Sequence, residues 1–335
     1  MRFLLDDEQR EFARSLDAML AASDTPSAVR AWAAGDHGPG RALWDRLARA
    51  GVFALAVPGA YGGVGPLPVE VAVAFTELGR HVVPGPVVET VAAGVLLAGA
   101  GGPAAGEWLP ALASGAASAT LLPVDRGRYA LDADAVDAVF TVTGDELRLA
   151  PGPGRLHVSA DPARRLWRPE PGGKVIATGP RVREAAGRAF EWASFATAAQ
   201  ALGTGEALLR ATVGYVKQRT QFGTAVGSFQ AVKHRLADVL IGLEFARPLL
   251  YGAALALAEG APDAGARVAA AKVTAGEAGY AAARAALQLH GAVGYTQELD
   301  LSLWLRRARP LRDAWGTPGA CRARVLAGRA GDGGR

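Results

Sequence analysis

Apolar residues recur at helical spacing through the first third of the chain and again through its last part. Asp6 stands where an N-cap is expected, and Phe12, Leu16, Met19 and Leu20 follow on one face. Residues 41–54 predict a second amphipathic helix through Leu43, Trp44, Leu47 and Phe53. Pro58–Pro68 is a Gly/Pro-rich loop, followed by helices over Val69–Arg80 and Val87–Leu97. Near Ala117 the period shortens. Thr120–Val124, Val139–Val142, Leu147–Ala150, Arg155–Val158 and Lys174–Ala177 read as strands between turn clusters such as Gly144-Asp145. From Gly187 the pattern is helical again. It predicts a long buried helix over Ala189–Lys217, a helix over Phe229–Leu257 interrupted and kinked by Pro248, and helices over Ala264–Leu289 and Leu299–Arg309. The Gly-rich tail from Gly328 is expected to fray. The fold class is therefore mainly α with a small central β-domain, divided as 1–114, 115–186 and 187–335.

Composition narrows this picture. Half of the 335 residues are hydrophobic, enough to core two or three domains. Abundant Ala and Gly favour tightly packed helices over a β-sandwich. A net charge of +4 calls for neither nucleic acid nor a membrane. The run Arg306, Arg307, Arg309, Arg312 reads as a solvated helix face. The lone Cys321 excludes an internal disulfide. The N-terminus turns acidic at once, without a leader-like apolar stretch, and no uninterrupted apolar run nears the ~20 residues that span a bilayer. A cytoplasmic protein is expected. His234 and His290 fall on separate helices with no acid at ligand spacing, so no metal is expected.

Two blocks carry candidate chemistry. The first is Tyr215-Val-Lys-Gln-Arg219-Thr-Gln-Phe222-Gly223, continuing through Gly227 and Phe229-Gln230 to His234 and Asp238. Arg219 offers a planar cation suited to phosphate, Phe222 an apolar face, and the glycines a tight turn. The second is Gln288-Leu289-His290-Gly291-Ala292-Val-Gly294-Tyr295-Thr296. Its small residues permit close backbone approach, and Gln288 supplies a neutral amide. Either block alone fits a helical bundle with glycine hinges equally well.

Together, in this order and separation, the blocks resemble the acyl-CoA dehydrogenase family. Leu47-Ala-Arg-Ala-Gly51, Val57-Pro58 through Gly65, and Glu77-Leu-Gly79-Arg80 extend the resemblance, which weakens across 115–186. The resemblance implies an N-terminal helical domain, a middle β-barrel and a C-terminal four-helix bundle. It also implies a homo- or hetero-oligomer with FAD between subunits. Arg219, Phe222 and Gln230 match positions that hold the adenosine and pyrophosphate part of FAD. Gln288, Leu289, His290, Gly291 and Ala292 match the partner-subunit segment on the same cofactor, with Ala292 in place of a usual glycine. Thr317 keeps the family pattern and is counted among the cofactor contacts. The implied reaction is α,β-desaturation of an acyl-CoA thioester, with an electron-transfer flavoprotein as acceptor.

The resemblance breaks at the base. Trp315 stands where the family carries a Glu before Gly316-Thr317, and indole has no accessible basic lone pair. An alternative base position matches Ala193. Glu191 lies two residues upstream, rotated by about 200° on a helix, Asp313 lies two residues before Trp315, and Glu244 fits a surface pair. No strand with the family's flavin-ring contacts is found, and Trp167 is the nearest aromatic. Three readings stay open: an active dehydrogenase with a non-standard base, a non-catalytic subunit completing a companion's FAD site, and a member redeployed for other flavin chemistry in biosynthesis. A loose dinucleotide fingerprint over Gly99–Ala104, with Asp125 as a ribose acid, competes from another enzyme class.

Overall fold

The computed structural model describes residues 4–332, with side chains through Gly328. Met1–Phe3 and the last three residues of the Gly-rich tail lie outside it. The chain forms two compact units. One comprises residues 22–71 and 83–193, the other residues 1–21, 72–82 and 194–335.

The first unit begins with α2 (Thr25–Ala33), which follows α1 (Asp7–Ala21) of the second. The Asp24 carboxylate accepts from Ser27 N at 3.1 Å and caps α2, and hydrogen bonding from the Ser27 side chain, then from its backbone, holds the carboxyl below the usual range. Its buried Thr25, Ala28, Val29 and Trp32 do lie at helical spacing, but over only 9 residues. The helix expected over 41–54 is instead α3 (Gly38–Arg49) and a separate 3₁₀ turn over Val52–Ala56. Gly51, at φ 76°, ends the first and redirects the chain, burying Val52 and Phe53. The helices α4 (Pro68–Arg80, shared with the second unit), α5 (Val87–Ala100) and α6 (Gly102–Ser114) follow.

The five expected strands all form, as β1 (Ala119–Pro123), β3 (Ala138–Thr143), β4 (Glu146–Leu149), β5 (Arg155–His157) and β7 (Lys174–Thr178). Two short ones, β2 (Ala130–Leu131) and β6 (Leu166–Arg168), were not legible as a period. They make a four-stranded sheet, β1-β3-β4-β7, and a three-stranded sheet, β2-β6-β5. Strand β1 runs parallel to β3, and the other pairings are antiparallel. The dinucleotide fingerprint is excluded here. Val95–Ala98 lie inside α5, so a helix rather than a strand enters the Gly99–Gly102 turn, and Asp125 accepts from Gly144 N in a loop.

Asp132 is fully buried in this unit. It accepts from Trp32 Nε1 at 3.1 Å and from Arg165 N at 3.2 Å, while Oδ2 has no partner. Burial pushes its pKa up to about 7.

The second unit is helical. The expected start of the last helical region at Gly187 moves to Pro180, because α7 (Pro180–Gln218) continues upstream of the Ala-rich stretch and contributes to both units. Then come α8 (Gln230–Glu259), α9 (Ala264–His290), α10 (Leu301–Asp313) and α11 (Pro318–Asp332). Asp6 caps α1 as expected: its carboxylate accepts from Gln9 N, and the Gln9 side chain accepts from Asp6 N. Two expectations fail. Pro248 lies within a continuous α8, and the Gly-rich tail is helical to Asp332, capped by Thr317, with Pro318 pre-set in its first turn. The helix α8 is also long and apolar enough to cross a bilayer by length and composition, although scattered polar residues interrupt it, so it is not an unbroken apolar run. Val239, Leu243, Ala246, Leu250 and Ala253 bury one face of it, while Leu240, Ile241, Phe245 and Leu249 are exposed.

Small residues set the packing. A Cβ at Gly203 would lie 1.9 Å from the Thr76 carbonyl oxygen, and one at Gly79 would lie 2.2 Å from that of Gln200. Thus α4 and α7 touch backbone to backbone. The helix α9 packs on α8, α10 and α11. Within α9, Lys272 is fully buried and donates to the carbonyls of Leu311 (3.0 Å), Arg312 (2.9 Å) and Gly316 (3.2 Å). A cation at the C-terminus of α10 meets the negative end of its dipole.

Lys272→Met leaves these carbonyls without their donor. It is expected to cost about 3 kcal/mol, read as a lowered denaturation midpoint with faster hydrogen exchange through 314–317. Asp132 gives a pH signature. Its folded pKa lies above the unfolded value, so the native state holds the proton more tightly. Its stabilising contribution is complete below about pH 4 and fades as pH rises through about 7, by roughly 4 kcal/mol. Asp132→Asn, tolerated at φ 51°, should flatten unfolding free energy across that window; an unchanged slope assigns it to other groups.

Candidate functional site

The first block closes α7. Arg219 N donates to Tyr215 O, and the chain then reverses through β8 (Thr220–Gln221) and β9 (Thr224–Ala225). The turn between them has only Phe222 and Gly223, at φ 52° and 78°. Both positive values match a two-residue hairpin turn of the primed type, which favours Asn-Gly or Gly-Gly. A Phe in that conformation is strained, and the residue is 93% exposed, its ring edge-on to Phe229 at 6.4 Å. The turn therefore holds a largely exposed aromatic side chain at a conformational cost. Val226 N donates to Arg219 O, a 3₁₀ turn over Val226–Ser228 follows, and Gln230 opens α8. Among the described residues the Arg219 guanidinium has no ion pair or hydrogen bond.

The second block closes α9. His290 is buried; its Nδ1 lies 2.8 Å from Ala286 O, and its ring stacks on Tyr215 at 4.2 Å. Tyr215 also donates its hydroxyl to His290 O at 3.4 Å. Burial, partly offset by the Ala286 contact, holds the imidazole pKa below its ordinary value and favours the neutral ring. His290 is thus a packing residue that clips the two blocks together. Gly291, at φ 64°, releases the chain into a 3₁₀ turn ending at Tyr295.

Behind that clip lies a cavity of about 250 Å³ lined by Arg235, Arg284, Leu287, Gln288 and Tyr295. Gln288 is the one sequence-assigned residue on its wall. Leu289 is half-buried, and Ala292 is exposed on the following turn. Thr317 accepts from Ala320 N at 3.3 Å, so its hydroxyl caps α11. Arg235 and Arg284 were missed by motif reading. Arg284 lies four residues before Gln288 on α9, and that helical spacing was the available signal. The lining has cations, an amide and a phenol but no carboxylate, a donor set that fits the dinucleotide end of FAD.

The candidate base positions have the following surroundings. Trp315 adopts φ 53° and its carbonyl accepts from Ser194 Oγ. Gly316, at φ 131°, has no room for a side chain, since a Cβ would meet Cys321 Sγ at 2.9 Å. Burial pushes the Cys321 thiol up, as for a small core residue. Asp313 is not in a loop but ends α10, exposed beside Arg312. Glu191 lies within α7, away from the helix start that could have re-aimed it. Glu244 pairs with Arg247 at 3.1 Å, as expected of a surface pair. Trp167 packs against the Leu122–Val139 core of its sheet. The arginine run is not a uniformly solvated face: Arg307 is buried, and Arg312 lies 5.4 Å over the Tyr280 ring.

One further cluster was invisible in sequence because its members are distant. Asp17, Glu77 and His81 place one ligand atom each within 4.8 Å of one another, in a geometry that could hold a metal ion. His81 pairs with Asp17 at 2.7 Å, Glu77 pairs with Arg80, and Arg80 with Glu206 at 2.6 Å. These ion pairs explain the cluster without a metal.

Comparisons with known proteins show the family of the chain. The family description "Acyl-CoA dehydrogenase, N-terminal domain" matches residues 6–116, and "Acyl-CoA dehydrogenase, C-terminal domain" matches residues 183–328. The chain is 35% identical over 315 residues to acyl-CoA dehydrogenase IpdE2 of Mycobacterium tuberculosis, covering 90% of this chain and 91% of that protein. The IpdE2 of Mycolicibacterium smegmatis is 31% identical, with 93% and 96% covered. Among solved structures, a Tcur3481-Tcur3483 steroid ACAD variant superposes with a TM-score of 0.86 at 25% identity, covering 98% of this chain and 99% of that one. The ChsE4-ChsE5 complex from Mycobacterium tuberculosis shares the fold at a TM-score of 0.85 and 24% identity, with 98% and 99% covered. The chain belongs to the acyl-CoA dehydrogenase family of FAD-dependent oxidoreductases.

Proposed function

We propose that this chain serves α,β-desaturation of an acyl-CoA thioester as the subunit that grips the dinucleotide end of FAD, while a companion chain supplies the base. The observation that carries this reading is Trp315. It stands where the resemblance puts the family's base, in a loop pinned by Lys272 and Ser194, and an indole cannot remove the substrate α-proton. When bound, FAD would supply the acceptor for the β-hydrogen leaving as hydride. This chain's part is to hold it: Arg219 and Gln230 toward the phosphates, Phe222 against a ring, and Gln288 with the Leu289–Ala292 turn on the adenosine side. Thr317 holds the adjoining helix in place.

Several features support the assembly. Phe222, Tyr295 and the α8 stripe Leu240, Ile241, Phe245 and Leu249 expose apolar surface that a companion would cover. The solved relatives named Tcur3481-Tcur3483 and ChsE4-ChsE5 carry two component names each. That analogy supports a hetero-oligomer; a tetramer is what the family resemblance implies. The first of those titles also suggests a steroid-derived acyl group. An electron-transfer flavoprotein as acceptor, a cytoplasmic setting, and the three-domain division 1–114, 115–186 and 187–335 complete the reading. The family matches over 6–116 and 183–328 support that division.

Co-expression with an acyl-CoA dehydrogenase chain that keeps the Glu tests the proposal. The complex should hold flavin and bleach anaerobically with an acyl-CoA, whereas this chain alone should not. Stoichiometric bleaching by the isolated chain would overturn it. Phe222→Asn relieves the strained turn, so stability should rise by about 0.5–1 kcal/mol while flavin retention falls. A rise in stability with unaltered flavin content would remove Phe222 from the site.

A further inference from the structure

We infer that Arg235 and Arg284 form a two-arginine clamp for the pyrophosphate of an adenosine-containing cofactor, a grip additional to Arg219. The inference rests on the FAD reading above and deepens it. Arg235 projects from α8 and Arg284 from α9, and both line the 250 Å³ cavity together with Gln288 and Tyr295. No carboxylate lines it. Among the described residues neither guanidinium has an ion pair or hydrogen bond. Asp238 lies three residues beyond Arg235, within ordinary helical reach, yet they make no ion pair. Exposed helix arginines with an acid at that spacing commonly pair with it, so this side chain is left free to face the cavity.

Two like charges converging on one concavity repel each other, and an entering anion removes that cost. The planar forks suit phosphate oxygens two at a time. Gln288 follows Arg284 by one helical turn and adds a neutral donor to the same wall. Tyr295 is 75% exposed and offers a ring face of the kind an adenine would stack on. Arg219 is not on this lining, so the clamp supplies charge that the recognised motif residues do not. A pyrophosphate bearing adenosine occurs in FAD and also in the CoA of the substrate. The chemistry of the clamp is the same for both.

The test titrates the full chain, with any companion that co-purifies, against FAD, ADP and CoA at low and high salt. The variants are Arg235→Ala/Arg284→Ala, Arg284→Lys and Arg219→Ala, with melting curves to confirm folding. The double variant should bind ADP and FAD about tenfold or more weakly, with a smaller salt effect, because two charge-assisted contacts are gone. Arg284→Lys should recover part of the loss. Weakened ADP and CoA binding with FAD unchanged keeps the clamp and assigns it to the substrate. Wild-type affinity of the double variant for all three ligands overturns the clamp, as does a parent chain that binds none of them. In the former case Arg219→Ala separates the two ideas. If it loses FAD, the functional reading stands without the clamp; if it too is unchanged, both fall.

Discussion

Backbone contact between helices is the constraint on which the helical unit depends. Gly79 and Gly203 let α4 and α7 meet with no side chain between them, and Gly279 approaches the Ala201 carbonyl with a Cβ position only 2.6 Å away. At such separations the helices cannot slide without collision, so their register is set by where the glycines fall. The ends of α7 and α9 are thereby fixed, and the Tyr215–His290 stack joins them. Both candidate blocks lie at those ends. The high Ala and Gly content is thus a packing requirement that also positions the site.

Rigid helices then present a deliberately unrelaxed surface. Phe222 sits in a turn conformation that favours Asn or Gly, with its side chain largely exposed. Three arginines, Arg219, Arg235 and Arg284, are exposed and unpaired among the described residues. Isolated, each is an ordinary surface feature. Arg235 and Arg284 line a cavity without carboxylates and Arg219 lies outside that lining, an arrangement consistent with the proposed anionic ligand and second chain.

The base loop shows the opposite economy. Lys272 and Ser194 hold the backbone at 311–316, and Cys321 leaves no room for a side chain at Gly316. This is substantial organisation for a loop that carries an indole. The loop is held in place while the side chain it carries has no basic lone pair, which supports the proposed division of labour between chains.

The sequence by itself determined the helix–strand–helix order, the Asp6 cap, all five expected strands and the family, because these rest on local periodicity and contiguous motifs. It also showed that Trp315 cannot be a base, a matter of side-chain chemistry alone. It misjudged Gly51, Pro248 and the Gly-rich tail, where local propensity was outweighed by packing and capping. Only the tertiary structure decided that His290 is a buried clip, that Thr317 caps a helix, and that Arg307 is buried in a run that reads as solvated. It alone placed Arg235 beside Arg284. Their separation along the chain spans a helix-to-helix turn, so no local pattern could relate them; the packing of α8 on α9 does.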